Sequence, residues 1–551
     1  MNEGNYIQVL LPLRLDWDPF YILEGARVGQ RVKVEFAHRE YVGVVSAVDV
    51  VPEVKGRILS AQPTALPPIQ PCELSFWNAL SEYYLCSRGE VYKAAYPSVV
   101  RASKPRKIPK LSGKEPAGGN LTTPQQKAME GILAAFEKGK TVLLKGDAAS
   151  GRTQLYLELA RQTLAKGKSV LYLIPEIALS EQLQERIKAL FPDLLVYHSA
   201  QSASQKRAMG VLVREQPHTM VLGTRSALFL PHHNLGLIVV DEEHDASYKQ
   251  DSPAPRYQAR ESAILLAGIQ GANVILGSLT PSLESLYNAE TGLFTMVNLN
   301  RCDNPEIQVI NISAETRKNG MPGSFSLKML DSLKETLDAG EKALLVCRSK
   351  ATLVACEEEI QGIFPDAPLE LTTPSGAKLC GRYHLIAVIQ ADGLLGKDDF
   401  RADERALQLL QQLQERTTGL LLIQTREPGH PVFKALKAGG DGLVFLQERK
   451  TAGYPPLSRM IDIVLTDKNL KRLEYLSRIL AGELGFLPSV MGPFAPMQES
   501  AAEDQEVRRI RLMLPRDKSL KSRKTAIAAA VARFEKERKY SGHIVIDVDP
   551  A

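Results

Sequence analysis

The pattern of apolar and polar positions changes along the chain, and these changes predict its architecture. Near the start, the segments YIQVLL, RVKVEF and YVGVVSAV alternate between apolar and polar residues and are bounded by glycines and charged turns. Such alternation is typical of strands with one buried face. Further on, short continuous apolar segments alternate with helix-like segments, which predicts parallel sheets covered by helices on both faces.

The second pattern predicts two α/β lobes. One comprises the apolar segments TVLLKG, SVLYLIP, TMVLGT, LGLIVVDEEH and NVILGS, and the other comprises KALLVCRS, YHLIAVIQAD and TTGLLLIQT. The last part of the chain mixes helices with strands, which indicates an α+β domain. We therefore predict five regions: a β-rich domain at 1–95, a basic linker at 96–120, a first lobe at 121–300, a second lobe at 301–450 and a C-terminal domain at 451–551.

The predicted linker is rich in basic residues, proline and glycine, and much of it reads RASKPRKIPKLSGKEPAGGN. A solvated tether is the simpler interpretation. The alternative is a positively charged segment that follows nucleic-acid phosphates. The net charge of +5 over 551 residues is compatible with a polyanionic partner but does not require one.

The cysteines and the apolar stretches exclude several classes of protein. None of the six cysteines forms a C-x-x-C pair, so the sequence encodes neither a zinc ribbon nor a small disulfide scaffold. No apolar run approaches the roughly 18 residues that a membrane span needs, and no basic run precedes the first apolar stretch. We expect a cytoplasmic protein with reduced thiols, no zinc and no membrane partner.

The segment LLKGDAASGRTQLY has the spacing of a phosphate-binding loop. Gly146, Gly151 and Thr153 stand where such a loop wraps phosphates with backbone N–H groups and holds Mg²⁺ with a hydroxyl. Arg152, however, replaces the usual lysine, and its planar guanidinium is bulkier than an ammonium. Asp147 adds a carboxylate that would repel phosphate if it points inward. The loop is therefore either a nucleotide site or a fold element only.

A second candidate for nucleotide chemistry is the segment IVVDEEH, an apolar strand that ends in acidic residues. Asp241 would hold Mg²⁺ through water, and Glu242 would orient or deprotonate the attacking water, while His244 closes the motif. Acidic residues at a strand end are usually a solvated turn. Because this segment follows the phosphate-loop pattern by about 90 residues, after two further strand–helix units, the pair indicates ATP chemistry more strongly than either alone.

Several other segments carry a family resemblance. GTRSALF, DEEHDASYKQ, RYQAR and LGSLTPSLES, followed by DFRADER, YPPLSR and IDVDP, resemble the PriA family of bacterial replication restart DNA helicases. The resemblance implies two RecA-like superfamily 2 helicase lobes that act as a 3′-to-5′ helicase, and an N-terminal domain that binds the 3′ end of a leading strand at a fork. It also implies primosome and helicase-loading proteins and single-strand-binding protein as partners.

The resemblance assigns roles to particular residues. Gln125 is similar to the family's adenine-reading glutamine, and Arg225 to a residue that contacts a DNA phosphate. It implies DNA contact in a loop with aromatic and cationic side chains: Tyr248, Lys249, Arg256 and Tyr257. The structural alternative is that the tyrosines cap the core of the lobe. The residues near the expected DNA-end site are Asp16, Trp17, Asp18 and Tyr21.

The departures from the family pattern affect the residues expected to drive ATP hydrolysis. In the segment QLQERTTG, Arg416 stands at the first arginine of the arginine-finger motif, but Gly419 stands at the second. Leu279 and Pro255 differ in two further motifs, and the zinc-binding insertion expected between Cys356 and Phe364 is missing. We therefore predict a degenerate family member that binds forked DNA and supports primosome assembly, with ATPase activity lost or very weak. The alternatives are an active ATP-dependent 3′-to-5′ helicase and a subunit that binds protein only.

Overall fold

The computed structural model describes residues 5–550 except 53–56, 98–107, 109–110, 117–118, 148–149, 300–304, 366–367, 378–380, 397–398, 496–504, 539 and 541. Most of the predicted linker lies outside the described residues, as do Cys302 and Cys380. Of the linker, Ser112 and Gly113 donate their backbone N–H groups to the two carboxylate oxygens of Asp193 at 2.5 and 2.8 Å. This contact ties the described part of the linker to the first lobe.

The N-terminal region begins with an antiparallel sheet in the strand order β2-β1-β4-β3-β5. Alternate residues such as Ile7, Val9 and Val32 fill its core, as the alternating pattern predicts. Two helices follow it, and residues of the first, Trp77 and Tyr84, share a core with the first lobe. The elements are β1 (Tyr6–Leu10), β2 (Phe20–Ile22), β3 (Arg31–Phe36), β4 (Arg39–Val48), β5 (Gln62–Pro63), α1 (Pro71–Tyr84) and α2 (Arg88–Ala95).

The first lobe has a parallel sheet in the order β12-β6-β11-β10-β7-β9-β8, with helices packed on it. The strands with the most continuous apolar sequence lie at its centre, where both faces are buried. The elements are α3 (Thr123–Glu137), β6 (Thr141–Lys145), α4 (Arg152–Ala165), β7 (Ser169–Leu173), α5 (Glu181–Leu190), β8 (Leu195–Tyr197), α6 (Ala203–Glu215), β9 (Met220–Gly223), β10 (Leu235–Asp241), α7 (Ala259–Gln270), β11 (Asn273–Ser278), α8 (Leu283–Glu290) and β12 (Phe294–Asn298).

The second lobe repeats this plan with a smaller parallel sheet in the order β13-β17-β16-β14-β15. Separate hydrophobic clusters fill the two sides of the sheet. The elements are β13 (Glu306–Asn311), α9 (Ile312–Asn319), α10 (Leu327–Asp338), β14 (Ala343–Val346), α11 (Lys350–Ile363), β15 (Leu369–Thr372), α12 (Pro374–Ala377), β16 (Tyr383–Val388), α13 (Ala402–Arg416), β17 (Thr417–Thr425), α14 (Pro431–Lys437) and α15 (Leu446–Ala452).

The C-terminal region has an antiparallel sheet in the order β19-β20-β18-β21 and two helices. Its core joins that of α1 and the first lobe. The elements are β18 (Ser458–Asp467), α16 (Leu470–Glu483), β19 (Val490–Phe494), β20 (Glu506–Pro515), α17 (Leu520–Arg538) and β21 (His543–Val548).

This architecture confirms the predicted fold class, with two parallel-sheet lobes between a small antiparallel domain and an α+β end domain. The five domain boundaries themselves stay predictions. In the first lobe, β11 alone separates β6 from β10. Because the strands are parallel, the loop after β6 and the acidic end of β10 lie at the same edge of the sheet.

Candidate nucleotide and DNA sites

The phosphate-loop segment connects β6 to α4. Its last glycine, Gly151, adopts a left-handed φ of 84° as the N-cap of α4. A Cβ atom at Gly151 would lie 2.0 Å from Nε2 of Gln125, so both the conformation and the close approach require glycine here. Arg152 and Thr153 are the first two residues of α4.

The described part of this loop satisfies its own polar groups. Asp147 is buried, and its Oδ1 accepts the backbone N–H of Ser150 at 2.5 Å, while the Ser150 hydroxyl donates to the carbonyl of Asp147 at 2.6 Å. Gln125 Nε2 donates to the Ser150 carbonyl at 3.2 Å, and its Oε1 accepts the N–H of Thr122 at 2.8 Å. The Asp147 carboxylate thus points inward and takes a backbone donor of the loop, and Gln125 is committed to the same loop.

Arg152 crosses from the loop to the acidic strand end. Its side chain is 4% exposed, and its Nη2 donates to Oε1 of Glu242 and lies 3.8 Å from Oδ1 of Asp241. The other two guanidinium nitrogens, Nε and Nη1, have no hydrogen-bond partner within the described part of the chain. Burial would lower the pKa of Arg152, but the charges of Glu242 and Asp241 raise it above its usual value. Arg152 is therefore a permanent cation.

The two carboxylates beside this cation differ in their surroundings. Asp241 Oδ1 accepts from the Tyr156 hydroxyl at 3.3 Å and the Glu242 backbone N–H at 3.0 Å, and its Oδ2 accepts from the Tyr172 hydroxyl at 3.2 Å. Burial raises the pKa of Asp241 to about 6, although Arg152 opposes this. Burial would also raise the pKa of Glu242, but the charge of Arg152 holds it below its usual value.

His244 carries the connection into the second lobe. Its Nδ1 lies 2.7 Å from the Ser278 hydroxyl, and its Nε2 lies 2.6 Å from Nε2 of Gln412 on α13. Because an amide nitrogen only donates, His244 accepts at Nε2 and carries its proton on Nδ1. The histidine of the acidic motif therefore bridges the two lobes.

The predicted arginine finger also lies on α13. Arg416 follows Gln412 by four residues and shares its helix face. The helix passes directly into β17, and Gly419 lies within that strand. A Cβ atom at Gly419 would lie 2.5 Å from Cε1 of His384, so an arginine at this position requires His384 to move.

The residues that would hold a nucleotide and its metal ion do not fit them in this arrangement. The metal position beside Asp241 and Glu242 is taken by the Arg152 guanidinium, and a loop donor is taken by Asp147. Among the described residues, no cluster of three or more histidine, cysteine or acidic side chains could hold a metal ion elsewhere. ATP and Mg²⁺ binding at Gly146, Thr153 and Asp241 stays a prediction.

The residues expected to contact DNA in the first lobe are largely occupied by protein contacts. Tyr248 and Tyr257 are 1% and 2% exposed. The Tyr248 hydroxyl donates to the carbonyl of Asp241 at 2.6 Å, and the Tyr257 ring packs edge-on against Phe229 with centroids 5.1 Å apart. This burial favours the structural alternative, in which the tyrosines complete the core of the lobe.

The cations of the same loop contact the end of β21. Lys249 is 4% exposed and forms an ion pair with Asp547 at 2.7 Å, and Arg256 donates to the other oxygen of Asp547 at 3.2 Å. Arg225 donates to the backbone carbonyls of Ser247 and Lys249. The roles of these three cations toward DNA stay predictions.

Comparisons with known proteins match most of the chain. The family described as 3′DNA-binding domain (3′BD) matches residues 8–97, the DEAD/DEAH box helicase family matches 122–288, and the primosomal protein N C-terminal domain matches 450–551. Replication restart protein PriA of Rickettsia felis is 28% identical, over 86% of this chain and 89% of that protein. The chain is therefore similar to PriA proteins along most of its length. PriA of Bacillus subtilis is 27% identical over 78% of this chain and 66% of that protein, and PriA of Helicobacter pylori is 32% identical over 71% and 62%.

The family's zinc-binding insertion is expected between Cys356 and Phe364, where the structure has the second half of an uninterrupted helix, α11. The helix therefore joins the two sides of the predicted deletion. Within the described residues, no helix is both long and apolar enough to span a membrane.

A large groove of about 1410 Å³ lies between the part that matches the 3′DNA-binding domain and helix α17. Of the four residues proposed for the DNA-end site, Asp16, Trp17 and Asp18 line this groove, and Trp17 is 49% exposed. Asp18 is buried and accepts from Ser46 at 2.5 Å and Arg88 at 2.6 Å. Tyr21 is buried too, and burial raises its pKa to about 12.

Three residues of these sites had no role predicted from the sequence. Glu243 is fully buried and accepts from Arg260 Nη1 and the backbone N–H of Ser282, both at 2.7 Å, so it fixes the acidic motif to α8. Gln412 could have been found from its four-residue spacing to Arg416 on a predicted helix. Asp547 lies in the family-like segment IDVDP, but its partners Lys249 and Arg256 lie about 290 or more residues away, so the sequence did not show which residues it meets.

Proposed function

We propose that this chain is a replication restart protein that binds forked DNA or DNA with a 3′ end, supports primosome assembly there, and hydrolyses little or no ATP. The match of residues 8–97 to a 3′DNA-binding domain supports the DNA part of the proposal. The position of Arg152 between the loop and the acidic motif supports the loss of turnover.

The groove beside Trp17 is the proposed place for the DNA end. An exposed indole provides a face on which a terminal base stacks. The opposite wall of the groove carries the exposed Lys518, Lys521 and Lys536, which offer positive charge to the backbone phosphates. Acidic side chains also line the groove, including Asp16, so the aromatic contact is the more specific part of this proposal.

The loss of turnover follows from three features of the nucleotide site. Arg152 neutralises the carboxylates that would hold Mg²⁺ and orient water, and Asp147 takes a phosphate-binding donor. Gly419 stands at the position of the second arginine of the finger motif. Because an arginine finger alone is worth about 10³-fold or more in rate, the combined defects leave little turnover.

Hydrolysis of ATP by the native chain with and without forked DNA tests this part of the proposal. We expect no stimulation by DNA, either in the native chain or in an Arg152→Lys variant, because the finger defect remains in both. An Asp241→Asn variant measures the background from contaminating enzymes. Robust DNA-stimulated turnover above that background would instead support the active-helicase alternative.

Binding to two forks that differ only in the presence of a 3′ end at the junction tests the DNA part. We expect tighter binding to the fork with the 3′ end, and a loss of that affinity by about fivefold or more in Trp17→Ala, because base stacking on an aromatic side chain contributes about 1–3 kcal/mol. Tyr475, which is 66% exposed on α16, provides the matched control, and Tyr475→Ala should bind as the native chain does. Equal binding to both forks would contradict the proposal.

The proposed protein partners are helicase-loading proteins of the primosome and single-strand-binding protein. This proposal rests on the similarity of the chain to PriA replication restart proteins. Loading of a replicative helicase onto forked DNA, reconstituted from purified proteins with and without this chain, measures this function directly. If the chain does not increase helicase loading, it binds DNA but has no role in replication restart.

A further inference from the structure

The carboxylates of Asp241 and Glu242 form a half-buried cation site that the chain fills by itself. We infer that the Arg152 guanidinium is the resident cation of this site, in place of a divalent metal ion, and that its removal uncovers a divalent-metal site. This metal site rests on the proposed loss of ATP turnover. It does not depend on the proposed DNA binding.

The charges of Asp241, Glu242 and Arg152 explain why a cation is held at this site. Two adjacent carboxylates with limited access to water are stabilised by a cation between them, because partly desolvated like charges are costly when uncompensated. Arg152 is the cation that contacts both carboxylates: its Nη2 donates to Oε1 of Glu242 and lies 3.8 Å from Oδ1 of Asp241. Its side chain is 4% exposed. Since its Nε and Nη1 have no hydrogen-bond partner in the described structure, the carboxylates are what hold the guanidinium there.

The orientation of the carboxylates carries the second step. Tyr156, Tyr172 and the Glu242 backbone N–H fix both oxygens of Asp241 at 3.0 to 3.3 Å. Glu242 itself has a left-handed φ of 49°, a conformation that non-glycine residues adopt mainly where the surrounding structure imposes it. These neighbours, rather than Arg152, hold the Asp241 carboxylate, so it remains in place as a metal ligand beside Glu242 when the Arg152 side chain is shortened.

The position of the guanidinium carries the third step. A divalent ion that binds both carboxylates must occupy the space in which Nη2 lies. It would also meet a permanent positive charge a few ångströms away, which repels it strongly in a buried site. The native chain therefore binds no divalent metal ion here, whereas a chain without the guanidinium does.

Thermal unfolding of the full chain without nucleotide, with and without Mn²⁺ or Mg²⁺, tests the inference. We expect no metal-dependent change for the native chain. Arg152→Ala should unfold at a lower temperature without metal and gain about 5 °C or more with Mn²⁺, because a ligand that binds only the folded state stabilises it. Arg152→Ala combined with Asp241→Asn should lose this gain.

Two controls separate this effect from general destabilisation. Arg152→Lys keeps a cation and should show no metal response. Arg449, a buried arginine on α15, lies outside this site and pairs with Glu404 at a distance of 2.8 Å. Arg449→Ala should therefore destabilise the chain without a response to metal. Arg152→Met keeps more side-chain volume and serves in place of Arg152→Ala if that variant fails to fold.

Stabilisation of the native chain by Mn²⁺ that Asp241→Asn removes would overturn the inference. So would the lack of a metal response in both Arg152→Ala and Arg152→Met. Fork binding is measured separately on the same proteins, so a failure of the DNA proposal leaves these outcomes unchanged.

Discussion

At the scale of single residues, His232 shows how burial fixes a charge state. It is 2% exposed, and its Nε2 lies 2.8 Å from the carbonyl of Ala227, while its Nδ1 has no partner within the described residues. Burial lowers its pKa to about 4, with a smaller effect of His233 in the same direction. The folded chain therefore keeps this imidazole neutral at pH values where an unfolded chain protonates it.

Stability should consequently fall as the pH decreases from about 6.5 to about 4. Above this window the histidine is neutral in both states and has no effect. Within it the unfolded state takes up a proton that the folded state refuses, which costs about 3 kcal/mol when complete. Unfolding temperatures of the native chain and a His232→Gln variant across this range measure the effect. The variant should lose less stability, and identical pH profiles would contradict the argument.

Arg152 shows the limit of interpreting one position alone. The sequence indicated only that a guanidinium is bulkier than the expected ammonium, and that Asp147 matters if it points inward. The structure gives each of them a partner, Glu242 for Arg152 and the Ser150 N–H for Asp147. One side chain therefore affects both halves of the nucleotide site.

At the scale of elements, the helices and central strands followed from local pattern. The apolar segments of both lobes are strands, and helices separate them as the alternating pattern predicts. The missed elements are mostly short edge strands, such as β8 (Leu195–Tyr197) and β15 (Leu369–Thr372), which have only three and four residues and so show no clear period. Residues 71–95 are helices where a β-rich domain was expected, because their polar faces hide the helical period.

The end of β21 holds the loop that contains Lys249 and Arg256. Breaking a buried ion pair by removing one partner leaves an uncompensated charge, so Asp547→Leu should reduce the free energy of unfolding by about 3 kcal/mol. The double variant Lys249→Met with Asp547→Leu should regain most of this, because no buried charge remains, and the partly exposed Arg256 reaches water. Calorimetry of the single and double variants measures the difference. Equal destabilisation in both would show that the pair does not act as a unit.

At the scale of the whole molecule, polar contacts join the two lobes. Lys145, just before the phosphate loop, pairs with Asp441 of the second lobe at 2.9 Å, and Arg401 pairs with Glu284 at 2.8 Å. Glu404 accepts the backbone N–H of Leu283 in the first lobe at 2.8 Å. These contacts hold the lobes together beside the His244–Gln412 bridge.

Glu404 is the most buried of these bridging groups, and it also pairs with Arg449. Glu404→Gln should reduce stability by about 3 kcal/mol, because the Arg449 charge stays buried without its partner. It should also make the second lobe more sensitive to proteolysis. Arg405 on the same helix forms an exposed pair with Asp399, so Arg405→Gln should cost under about 1 kcal/mol. Similar losses in both variants would mean that burial does not set the contribution of these pairs.

The sequence by itself determined the two parallel-sheet lobes, the end domains, the resemblance to the PriA family, and the motifs at the edge of the first sheet. These features depend on local periodicity and on short segments, which a single chain displays directly. The tertiary structure alone decided which groups these motifs meet. Arg152 lies on the carboxylates at 241 and 242, and Tyr248 is buried in the core. Such contacts join residues that are far apart in the chain, and only the packing of the sheets brings them within reach.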